Sequence, residues 1–443
     1  MKALALVVLA ACSEPVVVVG QLQEMASLKA VPDRDLDILF VVDNSESMLD
    51  NQAALAASFP KMMDVLAQLD GGLPNLHIGV VTSDMGTKGS QVDLPGPVVG
   101  VVGSGGCGGT GDNGILQHAG LAAPYIEDLA NDDGSRQRNY TGALRDVFTT
   151  AAMVGNTGCG FEQHLAAMRA GLSNPANAGF LRASANLAVV IVADEDDCSM
   201  LDPVMLSSDP VFGALASFRC FQFGVRCAAD APDQPGAKTG CVPRDSSAYI
   251  EDVVPFAQYL RDVKGDERKV MVAGVVGDPA AVSVALAPPP GGGTPVPQLV
   301  QSCSYGDNES ADPAVRISAF LDQFPQRSQL SSICSGDLSG SLHDIGQSAK
   351  RLVGDPCLDT TLLADSSPEP GIQPACEVSD VRDAAPSHPA PLAHCSTGAP
   401  DCYDLVEDSA ACPATADHLR VRITRSHVPT DDTWTHVRCQ LAP

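Results

Sequence analysis

Four continuous apolar runs organise the first three quarters of the chain. They are Leu36-Asp37-Ile38-Leu39-Phe40-Val41-Val42, Leu76-His77-Ile78-Gly79-Val80-Val81, Leu187 to Ala193 and Lys269 to Val276. Apolarity that is continuous rather than alternating predicts strands buried on both faces, as in a parallel sheet. A helical spacing over 49–70 follows the first run. Its apolar side carries Leu55, Phe59, Met62, Met63, Leu66 and Leu69, and Gly71-Gly72 ends it. Further helical patterns lie at 142–153, 161–172 and 249–264, with a last strand from Gln329 to Ile333 and a closing helix at 339–353. Strands alternating with helices predict an α/β, doubly wound domain over 34–354 with a mostly parallel central sheet. Three long Gly/Pro-rich segments, about 85–140, 198–248 and 278–312, read as insertions, and loops of that length are often functional. The stretch GSGGCGGTG at 103–111 has no following Lys-Ser/Thr and opens no helix, so it reads as a plain loop pinned through Cys107.

Both ends differ from this pattern. The opening MKALALVVLAAC sets a Lys before an apolar run too short to span a bilayer, which is the layout of an export signal. Its ending Leu9-Ala10-Ala11-Cys12 resembles a bacterial lipoprotein signal, which implies that residues 1–12 end at a lipidated Cys12 and that 13–33 form a tether. By the sorting habits of such lipoproteins, Ser13 after the Cys points to the outer membrane rather than the inner. Two or more acyl chains would make that anchor stable. Beyond about residue 355 the long apolar runs stop and the Cys spacing tightens. Residues 355–443, with alternating strands near 419–426 and 434–439, read as a small disulfide-stapled β module.

Cysteine parity supports export independently. Fifteen Cys less Cys12 leaves eight between Cys107 and Cys334 and six between Cys357 and Cys439. Both groups are even, as disulfides formed in an oxidising compartment require. No Cys-x-x-Cys occurs, so zinc-ribbon and thioredoxin-like chemistry has no support. A formal net charge of -27 makes nucleic acid and anionic lipid poor partners.

The segment that carries chemistry is Asp43-Asn44-Ser45-Glu46-Ser47, directly after the first strand. Open α/β sheets bind ligands beyond the carboxyl ends of their strands, where the strand order reverses. An Asp-x-Ser-x-Ser turn there presents one carboxylate and two hydroxyls, hard oxygen ligands suited to Mg2+ or Ca2+. Asp, Asn and Ser are also ordinary loop residues, and position is what raises the motif above them. With ILFVVDNSESM, the long amphipathic helix and LHIGVVTSD, the chain resembles the von Willebrand factor type A family over roughly residues 35 to 353. The resemblance implies a metal-dependent adhesion site in which Asp43, Ser45, Ser47, a Thr from a second loop and an Asp after the next buried strand hold one divalent cation. Thr157 in GNTGCGFEQHL and Asp194 at the end of LAVVIVAD match those positions. Mg2+ is the first expectation, with Mn2+ and Ca2+ as alternatives, and the open position would take an Asp or Glu carboxylate from a protein partner.

Two departures from the family pattern stand out. Thr157 is followed by Gly158-Cys159-Gly160 rather than x-Thr-Gly, and the usual Thr-Asp-Gly is replaced by Ala193-Asp194-Glu195-Asp196-Asp197. Glu195, Asp196 and Asp197 read as a solvated acidic turn, with binding, competition or a second cation as the alternatives. Glu162 reads as satisfying the N-terminal dipole of the 161–172 helix, and His77 as paired within the core. The expected fold geometry suggests Cys303–Cys334 and Cys159–Cys198 as disulfides. Neither His-Glu-x-x-His nor Gly-x-Ser-x-Gly occurs, and no general base is positioned, so the chain is expected not to be an enzyme and to have no small-molecule substrate. The expected function is an exported, membrane-anchored protein that binds its partner through the cation. The alternative is a structural envelope lipoprotein whose cation is only stabilising or absent.

Overall fold

A computed structural model of the chain describes residues 22–442 apart from 31–32, 70, 93, 132, 290–292, 306–308, 355–356, 359–360, 362, 367–372, 410–411, 413–414, 416 and 431. The signal and Cys12 lie outside the described residues. The chain divides into two compact units, one formed by 31–355 and one by the two ends of the chain.

The larger unit is mixed α/β. In chain order its main elements are β1 (Asp35–Val42), α1 (Leu49–Leu66), β2 (Asn75–Thr82), β3 (Ile126–Ala130), β4 (Arg136–Arg138), α2 (Leu144–Ala152) and α3 (His164–Ser173). Then follow β5 (Asn186–Val192), α4 (Val254–Lys264), β6 (Val270–Val276), α5 (Val315–Leu321), β7 (Ser328–Ser332) and α6 (Ser339–Val353). The sheet order is β7-β6-β5-β1-β2-β3-β4. The strands from β7 to β2 run parallel, and β3 and β4 add an antiparallel edge.

Alternate residues of each central strand feed opposite faces, as the pleat demands. Ile38, Phe40 and Val42 join α1, α2 and α6 on one side. Leu39 and Val41 join α3, α4 and α5 on the other. Phe40 meets Phe59 and Phe148 edge-on while those two rings stack. Each such aromatic pair adds about 0.5–1.5 kcal/mol beyond simple burial. The register pairs Val42 with Val192, so β1 and β5 end side by side. Their connections leave in opposite directions across the sheet, β1 towards β2 and β5 towards β6. The order therefore reverses between β1 and β5, and a crevice opens at their carboxyl ends.

The expected insertions contain more structure than the sequence reading assigned. Segment 85–140 ends in β3 and β4, a hairpin whose five- and three-residue strands are too short to show a clear period. Segment 278–312 carries an antiparallel pair, Ser283–Ala287 with Val296–Leu299. The long helix stops at Leu66 rather than at 70. His77 is buried, with Nδ1 2.8 Å from the Phe180 carbonyl.

Fourteen cysteines form seven disulfides. Cys303–Cys334 is among them. The expected Cys159–Cys198 is not: Cys159 pairs with Cys107, and Cys198 pairs with Cys220. The reason lies in the Gly-rich loop, which folds back so that the Gly160 N–H donates to the Gly105 carbonyl at 3.2 Å. That contact brings Cys107 to Cys159, and Cys198 is left to the short helix Phe218–Gly224, which carries Cys220.

The second unit corrects the tether. Leu22–Lys29 is a strand, paired antiparallel with Thr433–Gln440, which in turn pairs with Cys376–Arg382. Residues 13–21 and 31–32 of the expected tether lie outside the described residues. Three disulfides, Cys357–Cys412, Cys376–Cys439 and Cys395–Cys402, lie within this unit.

Candidate metal centre

Asp43 emerges from β1 with its N–H still bonded to the Val192 carbonyl at 3.0 Å. It is fully buried. Its Oδ1 accepts the Ser45 N–H at 2.7 Å and the Ser83 hydroxyl at 3.3 Å, and Oδ2 lies 3.2 Å from His164 Nε2. The first of these bonds is the tight Asx turn expected of Asp-x-Ser. It delivers the two hydroxyls together, with Ser45 Oγ 3.2 Å from Ser47 Oγ. Gln52, one turn into α1, staples this loop to the next. Its Nε2 donates to the Asp43 carbonyl at 2.9 Å and to the Gly155 carbonyl at 2.7 Å.

The second loop approaches through its backbone. The Gly158 N–H donates to the Asn44 carbonyl at 2.9 Å. Thr157 itself is exposed, and among the described residues its hydroxyl makes no hydrogen bond to the group around Asp43. Gly158, at the variable position of that loop, has a steric reason to be glycine, because a Cβ there would lie 2.2 Å from Asn44 Oδ1. Gly158→Ala is expected to push the 43–47 turn out of place and destabilise the protein by about 1–3 kcal/mol. Denaturant titration checks this.

Three carboxylates converge here, and of the two expected carboxylate ligands only Asp43 is among them. Asp43, Glu162 and Glu195 each present an oxygen, and these oxygens lie within 4.8 Å of one another. Glu162 is only 2% exposed, and among the described residues its Oε1 has no hydrogen-bond partner. Asp194, at the end of β5, is 4% exposed, and its Oδ1 is likewise unpartnered. Ser45 Oγ lies 3.5 Å from Glu195 Oε2.

The helix-dipole reading of Glu162 is therefore corrected. Helix α3 begins at His164, and Glu162 sits in the segment that feeds it, with its carboxylate turned towards Asp43. Two signals could have found it. It stands a few residues beyond the candidate Thr157 loop, and it precedes a helix whose first residues are wholly buried. The solvated acidic turn is corrected too. Asp197 is fully buried, pairs with Arg316 at 2.9 Å and accepts the Leu165 N–H and the Ser199 hydroxyl. Asp196 accepts the N–H groups of Arg316 and Ile317 at the start of α5. Both are structural, which leaves Glu195 as the member of the turn that faces the site.

The electrostatics follow from crowding. Burial, then the charges of Asp43, Asp194 and Asp312, hold Glu162 well above the ordinary carboxylate range. Burial, then Glu162, Asp194 and Asp43, do the same to Glu195. Asp194 is pushed up to about 6 by burial and Asp43, against hydrogen bonds from Glu195 and Ser47. Asp312, whose N–H donates to the Asp194 carbonyl, is pushed to about 7 by burial, Asp194 and Asp196. Burial would lower His164, but its bond to Asp43 and the charges of Asp43, Asp197 and Asp196 outweigh that and raise it.

A cation fits this group. The donors are hard oxygens, and the unpartnered buried atoms of Glu162 and Asp194 are acceptors with nothing to accept, a state that native interiors avoid. Mutual repulsion of the carboxylates is what a divalent charge would cancel.

No protein-family model matches the chain, and no curated protein matches it. Among solved structures it is similar to the pilus adhesin SpaC of Lactobacillus rhamnosus GG in its open conformation, at 10% identity and a TM-score of 0.31 over 92% of this chain and 38% of that one. It is similar to the pilus adhesin RrgA of Streptococcus pneumoniae, at 12% identity and a TM-score of 0.28 over 95% of this chain and 58% of that one. A von Willebrand factor type A protein from Catenulispora acidiphila is similar at 10% identity and a TM-score of 0.25, over 96% of this chain and 67% of that one. The chain thus spans less than two thirds of either adhesin. At these scores the likenesses carry no functional weight, and the reading of the site rests on its own residues.

Proposed function

We propose that this is an exported binding protein of the bacterial cell envelope, lipid-anchored through Cys12 on the outer membrane. Its von Willebrand factor A-like domain recognises a protein partner through one divalent cation held between the ends of β1 and β5. The observation that carries the reading is the convergence of Asp43, Glu162 and Glu195 oxygens within 4.8 Å beside buried, unpartnered acceptor atoms. Asp43, Ser45, Ser47 and Asp194 supply the ligands that the family pattern names, Thr157 lies on the adjoining loop, and Glu162 adds one that the pattern lacks. Mg2+ is the first candidate, and Mn2+ and Ca2+ suit the same hard oxygen set. The partner offers an Asp or Glu carboxylate, and no step of catalysis is assigned. Among the described residues no helix is long and apolar enough to cross a membrane.

Isothermal titration of Mg2+, Mn2+ and Ca2+ into the metal-stripped protein tests this. Saturable binding of about one ion, lost in Asp43→Ala, is the expected result. Absence of binding in the wild type would sink the reading.

The excess of carboxylates favours a second reading, in which the cation only holds the loops together. That reading expects a large fall in melting temperature on chelation and no preference for acidic ligands.

A further inference from the structure

We propose that Glu195 is a ligand this chain supplies to the outward side of the cation site, in the place that a partner's carboxylate takes, so that an acidic partner binds by exchange with it. The proposal rests on the cation reading above and names how that site is regulated. Four observations carry it.

First, Glu195 lies at the mouth. Asp43, Glu162 and Asp194 are 0%, 2% and 4% exposed, whereas Glu195 keeps partial contact with solvent. Second, it faces inward. One of its oxygens is within 4.8 Å of both Asp43 and Glu162 oxygens, and Oε2 is 3.5 Å from Ser45 Oγ. It therefore reaches the Ser45 hydroxyl as well as the two carboxylates. Third, its position is clamped. Asp196 is tied to the N–H groups of Arg316 and Ile317, and Asp197 to the Arg316 guanidinium. Among the described residues no Lys, Arg or His pairs with Glu195. Fourth, the unpartnered buried oxygens of Glu162 and Asp194 point independently to an ion at this spot.

Charge favours exchange over addition. Asp43 and Asp194 alone would balance a divalent ion and leave a coordination position open to a further oxygen. With Glu162 and Glu195 present the carboxylates outnumber the ion's charge, so a carboxylate that takes Glu195's place adds no net charge, whereas one added beside it does. The ligand class that succeeds is an acidic side chain presented by a protein, whose other contacts offset the exchange. A free small carboxylate has no such contacts.

Water-proton relaxation of the Mn2+-loaded full chain tests this, with Glu195→Ala alongside and acetate as the probe. Removal of Glu195 is expected to add about one water to the inner sphere of Mn2+ and to weaken Mn2+ binding on the order of tenfold. Acetate is expected to quench the added relaxation in Glu195→Ala and to leave the wild type unchanged. The metal-free variant is expected to melt no lower than the metal-free wild type, because a repelling charge has been removed, and this separates a ligand effect from misfolding. Glu195→Asp, with a shorter reach, is expected to fall between the two. Equal hydration of Mn2+ in wild type and Glu195→Ala, or acetate quenching in both, would overturn the proposal and leave the cation reading standing. A wild type that binds no Mn2+ would overturn both.

Discussion

Stripped of divalent ions, the protein is expected to lose stability as the pH rises from about 4 to about 7, and added Mg2+ or Ca2+ is expected to remove most of that loss. Asp194 and Asp312 titrate near 3.8 in the unfolded chain but at about 6 and about 7 in the folded one. Below the unfolded value both states hold the proton and there is no effect. Between the two values only the folded state holds it, so each step up in pH favours unfolding. Above the folded value the whole penalty is present. A shift of the size seen for Asp194 corresponds to about 3 kcal/mol. Glu162 and Glu195, raised for the same reason, act in the same direction. A bound ion prefers the ionised carboxylates, so its affinity grows over the same interval and the stability curve flattens. Melting temperature against pH, with and without the ion, measures the gap. The gap is expected to widen from acid to neutral pH, and a constant gap would mean that these carboxylates do not meet the ion.

Arg316→Met is expected to destabilise the larger unit by about 3–5 kcal/mol, the usual result of breaking a buried pair from one side. Arg316 and Asp197 are both fully buried. The guanidinium also donates to the carbonyls of Asp197 at 3.0 Å and Glu251 at 2.8 Å. Met fills much of the volume but leaves Asp197 charged and unpaired. Because Asp197 holds the turn that carries Asp194 and Glu195, cation affinity is expected to fall as well, although Arg316 touches no proposed ligand. Urea denaturation and calorimetry read the two effects separately. A variant with wild-type stability would show that the pair contributes nothing net.

The sequence by itself determined the α/β alternation, because each central strand must be apolar on both faces and each covering helix on one. It also placed Asp43, Ser45 and Ser47 at a strand end, since a tight Asx turn is written in five consecutive residues. Even cysteine numbers on either side of residue 355 were legible for the same reason: they are counts, not contacts. What lay beyond reach depended on elements distant in sequence. Strand order set β5 beside β1 and so brought Glu195 to Asp43. The fold-back of the Gly-rich loop chose Cys107 as the partner of Cys159 and so misled the expected pairing. The true start of α3 at His164 turned Glu162 from a helix-end charge into a candidate ligand. The strand Leu22–Lys29 joined the C-terminal unit because its partner, Thr433–Gln440, lies at the other end of the chain. Hydrophobic period reports which way a side chain faces relative to its own backbone. Which charges meet across a crevice is decided only when the sheet order and the loop crossings are in place, and in this protein that order gathers carboxylates whose repulsion a cation would relieve.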